Sequence, residues 1–259
     1  MIFANMTAPE LKLVDRENTF VLVPLAAVEQ HGPHMPTGTD TILCTELAER
    51  LEQKLADQIL LLPTLWPGAS AHHLRLGATL DVQLVHYISL LEDLCLSLLD
   101  DGFRRIVLFN GHGGNIDPLR VALRSIQLGY PDAQLVGGCY WSPAQAAINA
   151  LLTGQHHFVG HACEVETSLM LHFRPELVRA SLLEPAGGLV PDDVDGLYEC
   201  KDMCQRTRAG FTGRPDLATA EKGAQICEAI LQQWEQTLNK LKQQPLGTFY
   251  DDFSADLMM

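Results

Sequence analysis

Apolar runs alternate with segments of helical period along this chain, and that alternation predicts its architecture. Residues 20–26 (FVLVPLA) form a continuous apolar run of strand length, as expected of a strand buried on both faces. Residues 41–56 place Leu43, Leu47, Leu51 and Leu55 on one stripe, the mark of an amphipathic helix. A second strand is expected at 59–65, and a strongly apolar helix at 84–99 that stops at Asp101-Gly102. The clearest strand is 105–110. A helix follows at 116–128, ended by Gly129-Tyr130-Pro131, and another strand at 133–140. Helices are predicted at 143–152, 164–173 and 217–241. Residues 183–204 are aperiodic and rich in Gly, Pro and Asp, which predicts a long loop.

Strand–helix alternation implies an α/β fold: a doubly wound, mainly parallel sheet flanked by helices, in a single domain spanning residues 1–259. In such sheets ligands bind at the carboxyl ends of the strands, which is where the polar motifs fall. The net charge of −14 and the lack of any Lys/Arg cluster argue against nucleic acid as a partner. No apolar run is long enough to span a membrane, since the leucine-rich stretch 82–99 is broken by His86, Glu92 and Asp93. No basic-then-apolar leader is evident, so the expected compartment is the cytoplasm. The seven Cys are scattered and odd in number, which fits buried thiols better than a disulfide framework or a zinc knuckle.

Three polar stretches bear on chemistry. In Glu29-Gln30-His31-Gly32-Pro33-His34, Glu29 and His31 are two apart and share a face if the strand runs that far, before Gly-Pro turns the chain. Asp40 opens the next helix, where it reads either as an N-cap or as a carboxylate placed to bridge two cations. Asn110-Gly-His-Gly-Gly-Asn115 sets His112 at the end of the clearest strand, as a metal ligand, a catalytic group or part of a structural turn. A phosphate loop is disfavoured, because no Lys-Ser/Thr follows and the glycine spacing is wrong. In Gly160-His-Ala-Cys-Glu-Val-Glu-Thr-Ser168, His161 and Glu164 are three apart and share a helical face, whereas Glu166 would point elsewhere. Acids in a first helical turn also suit the helix dipole, which explains the two Glu but not His161. His72, His73, His156 and His157 are loop histidines on pattern alone, and Trp141 is either a stacking surface for a planar ligand or a core residue.

These stretches together resemble the creatininase family, the creatinine amidohydrolase-like proteins. The likeness runs from Val23-Pro24-Leu25 through Glu29–Asp40, Asn110–Asn115 and His161–Ser168 to Gly210-Phe-Thr-Gly-Arg-Pro-Asp-Leu-Ala-Thr-Ala-Glu-Lys-Gly223. The resemblance implies a metal-dependent amidohydrolase with two divalent ions (Zn, Mn or Fe) and a small-molecule substrate. It also implies a homo-oligomer, hexamers being common among members. It places Glu29, Asp40 and His112 on one metal, and His31, Asp40 and a second Glu on the other. Creatininases have that Glu two residues after the His of the Asn-Gly-His motif, where this chain has Gly114, so the expected ligand is Glu166. Gly160 likewise stands where creatininases have a Glu. Creatinine is therefore not the expected substrate; family members also include a deformylase and a peptidase, and cleavage of an amide-type C–N bond is expected.

On this reading a water bridging the two cations loses a proton near neutral pH and attacks the carbonyl. His161 protonates the leaving nitrogen, with Glu164 as its orienting partner or as the alternative proton carrier. His73, which best matches a substrate-loop histidine of relatives, and Trp141 are the candidate substrate contacts. A metal-dependent isomerase or epimerase on a sugar-like substrate is the competing function.

Overall fold

A computed structural model describes residues 1–154, 159–187, 189–190 and 193–248; His156 and His157 lie outside them. Four parallel strands, β1 (Phe20–Leu25), β2 (Ile59–Leu61), β3 (Arg105–Asn110) and β4 (Gln134–Cys139), form the sheet in the order β2-β1-β3-β4. Strand β2 is shorter than expected: its regular pairing with β1 ends where Leu62 N donates to Leu22 O at 2.9 Å, just before Pro63. Pairing with β1 resumes at a single bridge between Leu25 and Leu65.

Side-chain alternation along β1 and β3 builds a core on each face. Phe20, Leu22, Val107 and Phe109 pack with α2 (Thr39–Lys54), α5 (Gln145–Leu151), α6 (Glu164–Phe173) and α8 (Ala220–Lys242). Val21, Val23, Ile106 and Leu108 face α3 (Leu84–Asp100) and α4 (Ile116–Gln127). Both central strands are buried along their whole length, so they read as unbroken apolar runs. The doubly wound expectation holds.

Boundaries shift where caps decide them. Helix α8 begins at Ala220 rather than 217 because the Thr219 side chain accepts from the Lys222 N–H at 3.1 Å, and residues Pro215–Leu217 form a separate 3-10 turn. The predicted loop 183–204 contains a small antiparallel hairpin, β5 (Asp193–Val194) and β6 (Leu197–Tyr198). Its turn residues, Asp195 and Gly196, both have positive φ, as a tight two-residue hairpin demands. Two short helices, α1 (Ala8–Leu11) and α7 (Met203–Arg206), complete the strands and α-helices among the described residues. Among the described residues no helix is long and apolar enough to cross a membrane, and every Cys is a free thiol.

The register of the sheet positions the site. Leu25 of β1 lies beside Asn110 of β3, and Asn110 beside Cys139 of β4, so the motifs after β1 and β3 leave the same edge side by side. Asn115 ties that edge together. Its Nδ2 donates to Ala26 O at 3.0 Å and to Asn110 Oδ1 at 3.2 Å, and its Oδ1 accepts from Ala69 N at 3.0 Å.

Candidate metal centre

Glu29, His31, Asp40, His112 and Glu166 come from four separate segments and meet, all buried, at the carboxyl edge of the sheet. Asp40 is central. It lies in the first turn of α2, whose N-cap is Gly38, and caps nothing itself. Its Oδ1 is 3.1 Å from His31 Nε2, and its Oδ2 is 3.1 Å from His112 Nδ1. Glu29 Oε1 is 3.3 Å from the same His112 nitrogen, and Glu166 Oε1 is 3.9 Å from the same His31 nitrogen. His31, Asp40 and Glu166 each offer a ligand atom within 4.8 Å of the others.

The imidazoles are held in orientation from behind. His31 Nδ1 donates to its neighbour Glu29 O at 3.1 Å, which turns Nε2 toward the carboxylates. His112 Nε2 lies 3.2 Å from Ala69 O and 3.2 Å from Ser70 Oγ, which leaves Nδ1 for the centre. Such outer hydrogen bonds select the tautomer a metal-binding histidine needs.

The donor set fits a divalent cation. Glu29 Oε2, His31 Nε2 and Asp40 Oδ2 are buried side-chain atoms without a hydrogen-bond partner, and buried carboxylates require compensating positive charge. Burial pushes His31 and His112 down, but Asp40, Glu29 and Glu166 outweigh it and hold both imidazoles well above the ordinary range. Burial raises Asp40, yet the two histidines pull it below the usual carboxylate range, whereas burial prevails at Glu29 and raises it. The cluster thus calls for positive charge at its centre, which protons or divalent cations can supply.

Three more histidines surround the cluster. His161 Nδ1 lies 3.5 Å and His73 Nε2 3.4 Å from Glu29 Oε1. The His161 ring lies 4.4 Å from that of His31 and 4.3 Å from that of His73. Burial, then the neighbouring histidines, hold His161 well below its ordinary range and take His73 down to about 2. Glu29, His31 and His161 also form a group of metal-ligand geometry, as do Glu29, His72 and His112. The loop holding His161 is strained: Ala162, not a glycine, has φ +49°. Thr212 clamps it, its Oγ1 accepting from His161 N at 2.9 Å and its N–H donating to His161 O at 2.9 Å. That clamp is a task of the 210–223 motif.

Glu164 is a correction. It does not orient His161. Its carboxylate is ion-paired with Lys222 of α8 and accepts from Thr153 N at 3.2 Å, Thr153 Oγ1 at 3.1 Å and Gly154 N at 3.3 Å. The i,i+3 argument failed because His161 lies outside the helix, which begins at Glu164. By contrast Glu166, expected to point elsewhere, faces the cluster and also accepts from Cys163 N at 3.4 Å in a capping interaction.

Two glycines are dictated by space. A Cβ at Gly114 would collide with Ala69 O and the His112 ring, and one at Gly160 with Thr212 Oγ1. Neither position can hold a glutamate in this backbone. Gln30, between the two candidate ligands Glu29 and His31, escaped the sequence reasoning because strand alternation turns it away from them. It contacts both His73 and His161. A cavity of about 1040 Å³ opens onto the cluster, lined among others by His72, His73, Trp141, His161 and Arg206.

An open parallel sheet with a buried histidine–carboxylate cluster at its carboxyl edge defines an α/β protein with a candidate divalent-metal centre. The family model for creatininase, creatinine amidohydrolase, matches residues 4–238, and the chain belongs to that family of metal-dependent hydrolases. It is 31% identical over 225 residues to the mycofactocin precursor peptide peptidase of Mycobacterium ulcerans, covering 80% of this chain and 79% of the relative. It is 26% identical over 271 residues to the 3-dehydro-scyllo-inosose hydrolase of Thermotoga maritima, covering 95% and 85%. A crystal structure of creatininase shares the fold at a TM-score of 0.78 and 24% identity, over 94% of this chain and 98% of that one. Solved creatininases include a manganese form and a Zn–Zn form. An inosose carries no nitrogen, so C–N cleavage is too narrow a description of the relatives as a group.

Proposed function

We propose that this chain is a two-metal amidohydrolase that cleaves a C–N bond in a peptide-like amide or formamide rather than in creatinine. The observation that carries the reading is Asp40, whose two oxygens address His31 and His112 separately. One carboxylate is thereby shared by two potential sites: Glu29, Asp40 and His112 would hold one cation, and His31, Asp40 and Glu166 the other. When bound, such ions supply Lewis acidity toward a carbonyl oxygen and activate water near neutral pH.

The remaining chemistry belongs to the chain. His161 Nδ1, facing Glu29 across 3.5 Å, is placed to move a proton between the attacking water and the departing nitrogen. His73 and Trp141 line the cavity, which supports them as the residues that would contact the substrate. The cavity sits at the upper end of the roughly 300–1,000 Å³ usual for small-ligand sites, room for more than one small ring. The peptidase named among the relatives agrees with an extended substrate.

The test is metal analysis together with a panel of formamides, cyclic amides, short peptides and cyclic polyol ketones, followed by amine, ammonia and formate release and by sugar isomer analysis. Hydrolysis of one amide class supports the reading. Turnover confined to the ketones, by ring hydrolysis or by isomerisation, would overturn it.

A further inference from the structure

We infer that Gln30 is a positioning residue that makes His73 present an N–H, and His161 a bare nitrogen, to the same reaction space. This rests on the amidohydrolase reading for its use in catalysis, but the geometry stands on its own. The Gln30 amide has one orientation, because backbone groups of fixed polarity hold both its ends. Oε1 accepts from Gly32 N at 3.1 Å, and Nε2 donates to Gly210 O at 2.8 Å. The second Nε2 hydrogen is directed at His73 Nδ1, 2.9 Å away. His73 Nδ1 must therefore be the unprotonated nitrogen, and the ring's proton is on Nε2, the atom 3.4 Å from Glu29 Oε1.

The backbone of the same residue decides His161. Gln30 O lies 2.8 Å from His161 Nε2, and a carbonyl oxygen can only accept. His161 thus carries its proton on Nε2. That nitrogen is then no acceptor for the Gln30 amide, although the two lie 3.0 Å apart. His161 Nδ1 is left with its lone pair toward Glu29 and His31. Both rings are the same tautomer, yet they turn opposite nitrogens to the centre.

Donor and acceptor side by side complement a secondary amide, which has a carbonyl oxygen for His73 Nε2–H and an N–H for His161 Nδ1. The pair also divides the labour of hydrolysis. His73 Nε2–H can hold the oxygen as charge develops on it. His161 Nδ1 can receive the proton released by the attacking water and pass it to the departing nitrogen, as the C–N bond breaks and the new C–O bond forms.

The test is long-range 1H–15N correlation NMR on protein labelled with 15N-histidine, in chelator-treated and Zn-loaded samples, with the ten histidines assigned by single substitution. The wild-type chelated protein should show His73 and His161 both protonated at Nε2 alone. Gln30→Glu puts an acceptor where the amide N–H was. It should move a proton onto His73 Nδ1, leave His161 unchanged and leave metal content unchanged. It should lower kcat by roughly 10²–10⁴-fold with little change in KM. A wild-type His73 protonated at Nδ1 would overturn the inference, as would a folded Gln30→Glu protein whose His73 signature or kcat matches wild type. If that variant does not fold, the wild-type tautomers decide alone. The spectra need no substrate, so an error in the assigned reaction leaves this test intact.

Discussion

His31 Nε2 lies 3.1 Å from Asp40 Oδ1, while the other oxygen of Asp40 meets His112 Nδ1 at the same distance. Removing this carboxylate should therefore empty both halves of the centre. Metal analysis should give about two ions per wild-type chain, nearly none for Asp40→Ala, and about one for Glu166→Ala, which serves the His31 side alone. A Glu166→Ala protein with full metal and full activity would show that its ligand role is misassigned.

Chelation should also lower thermal stability. The buried carboxylates lose their compensating cations, and ligand binding to the native state stabilises it by mass action. Differential scanning fluorimetry with EDTA and then excess Zn should show a fall in Tm and its recovery. An unchanged Tm in a protein proven to hold metal would count against a buried centre.

His161→Ala should retain metal and lose about 10²–10⁴-fold in kcat. Its Nδ1 faces Glu29 and His31, so loss of metal together with activity would make it a ligand instead.

Lys222→Met should destabilise without touching the chemistry. It leaves the buried Glu164 carboxylate without its cation, a change that typically costs about 3–5 kcal/mol and lowers Tm by roughly 6–20 °C in a chain of this size. Activity per folded molecule should stay near wild type, because Glu164 is committed to Thr153, Gly154 and Lys222. Unaltered Tm would mean the pair contributes nothing; selective loss of kcat would restore Glu164 to catalysis.

Creatinine should be a poor substrate, with kcat/KM well below about 10⁴ M⁻¹s⁻¹. Gly114→Ala tests the steric half of that argument. Its methyl group would meet Ala69 O and the His112 ring, so the variant should lose metal affinity. A variant with normal metal content and stability would show that the loop yields easily.

The four strands of the sheet and most helices were legible because burial on both faces writes itself as unbroken apolar runs, as in β1 and β3, whereas the strand order was not. The ligand motifs were legible because glycines and polar residues interrupt those runs at the strand ends. Helix starts were less so: a cap such as Thr219 competes with other plausible caps nearby.

The sequence by itself determined an α/β protein with polar motifs at the carboxyl ends of its strands, whereas Glu29, His31, Asp40, His112 and Glu166 were grouped as one set only by the resemblance to a family. Only the tertiary structure decided that Glu164 turns to Lys222 while Glu166 turns to His31, and that Gln30 reaches two histidines. The reason is physical. Periodicity reports which face of an element is apolar, but a buried charge or amide is satisfied by whatever partner folding brings beside it. Those partners, Lys222 for Glu164 and Gly210 for Gln30, lie 58 and 180 residues away along the chain.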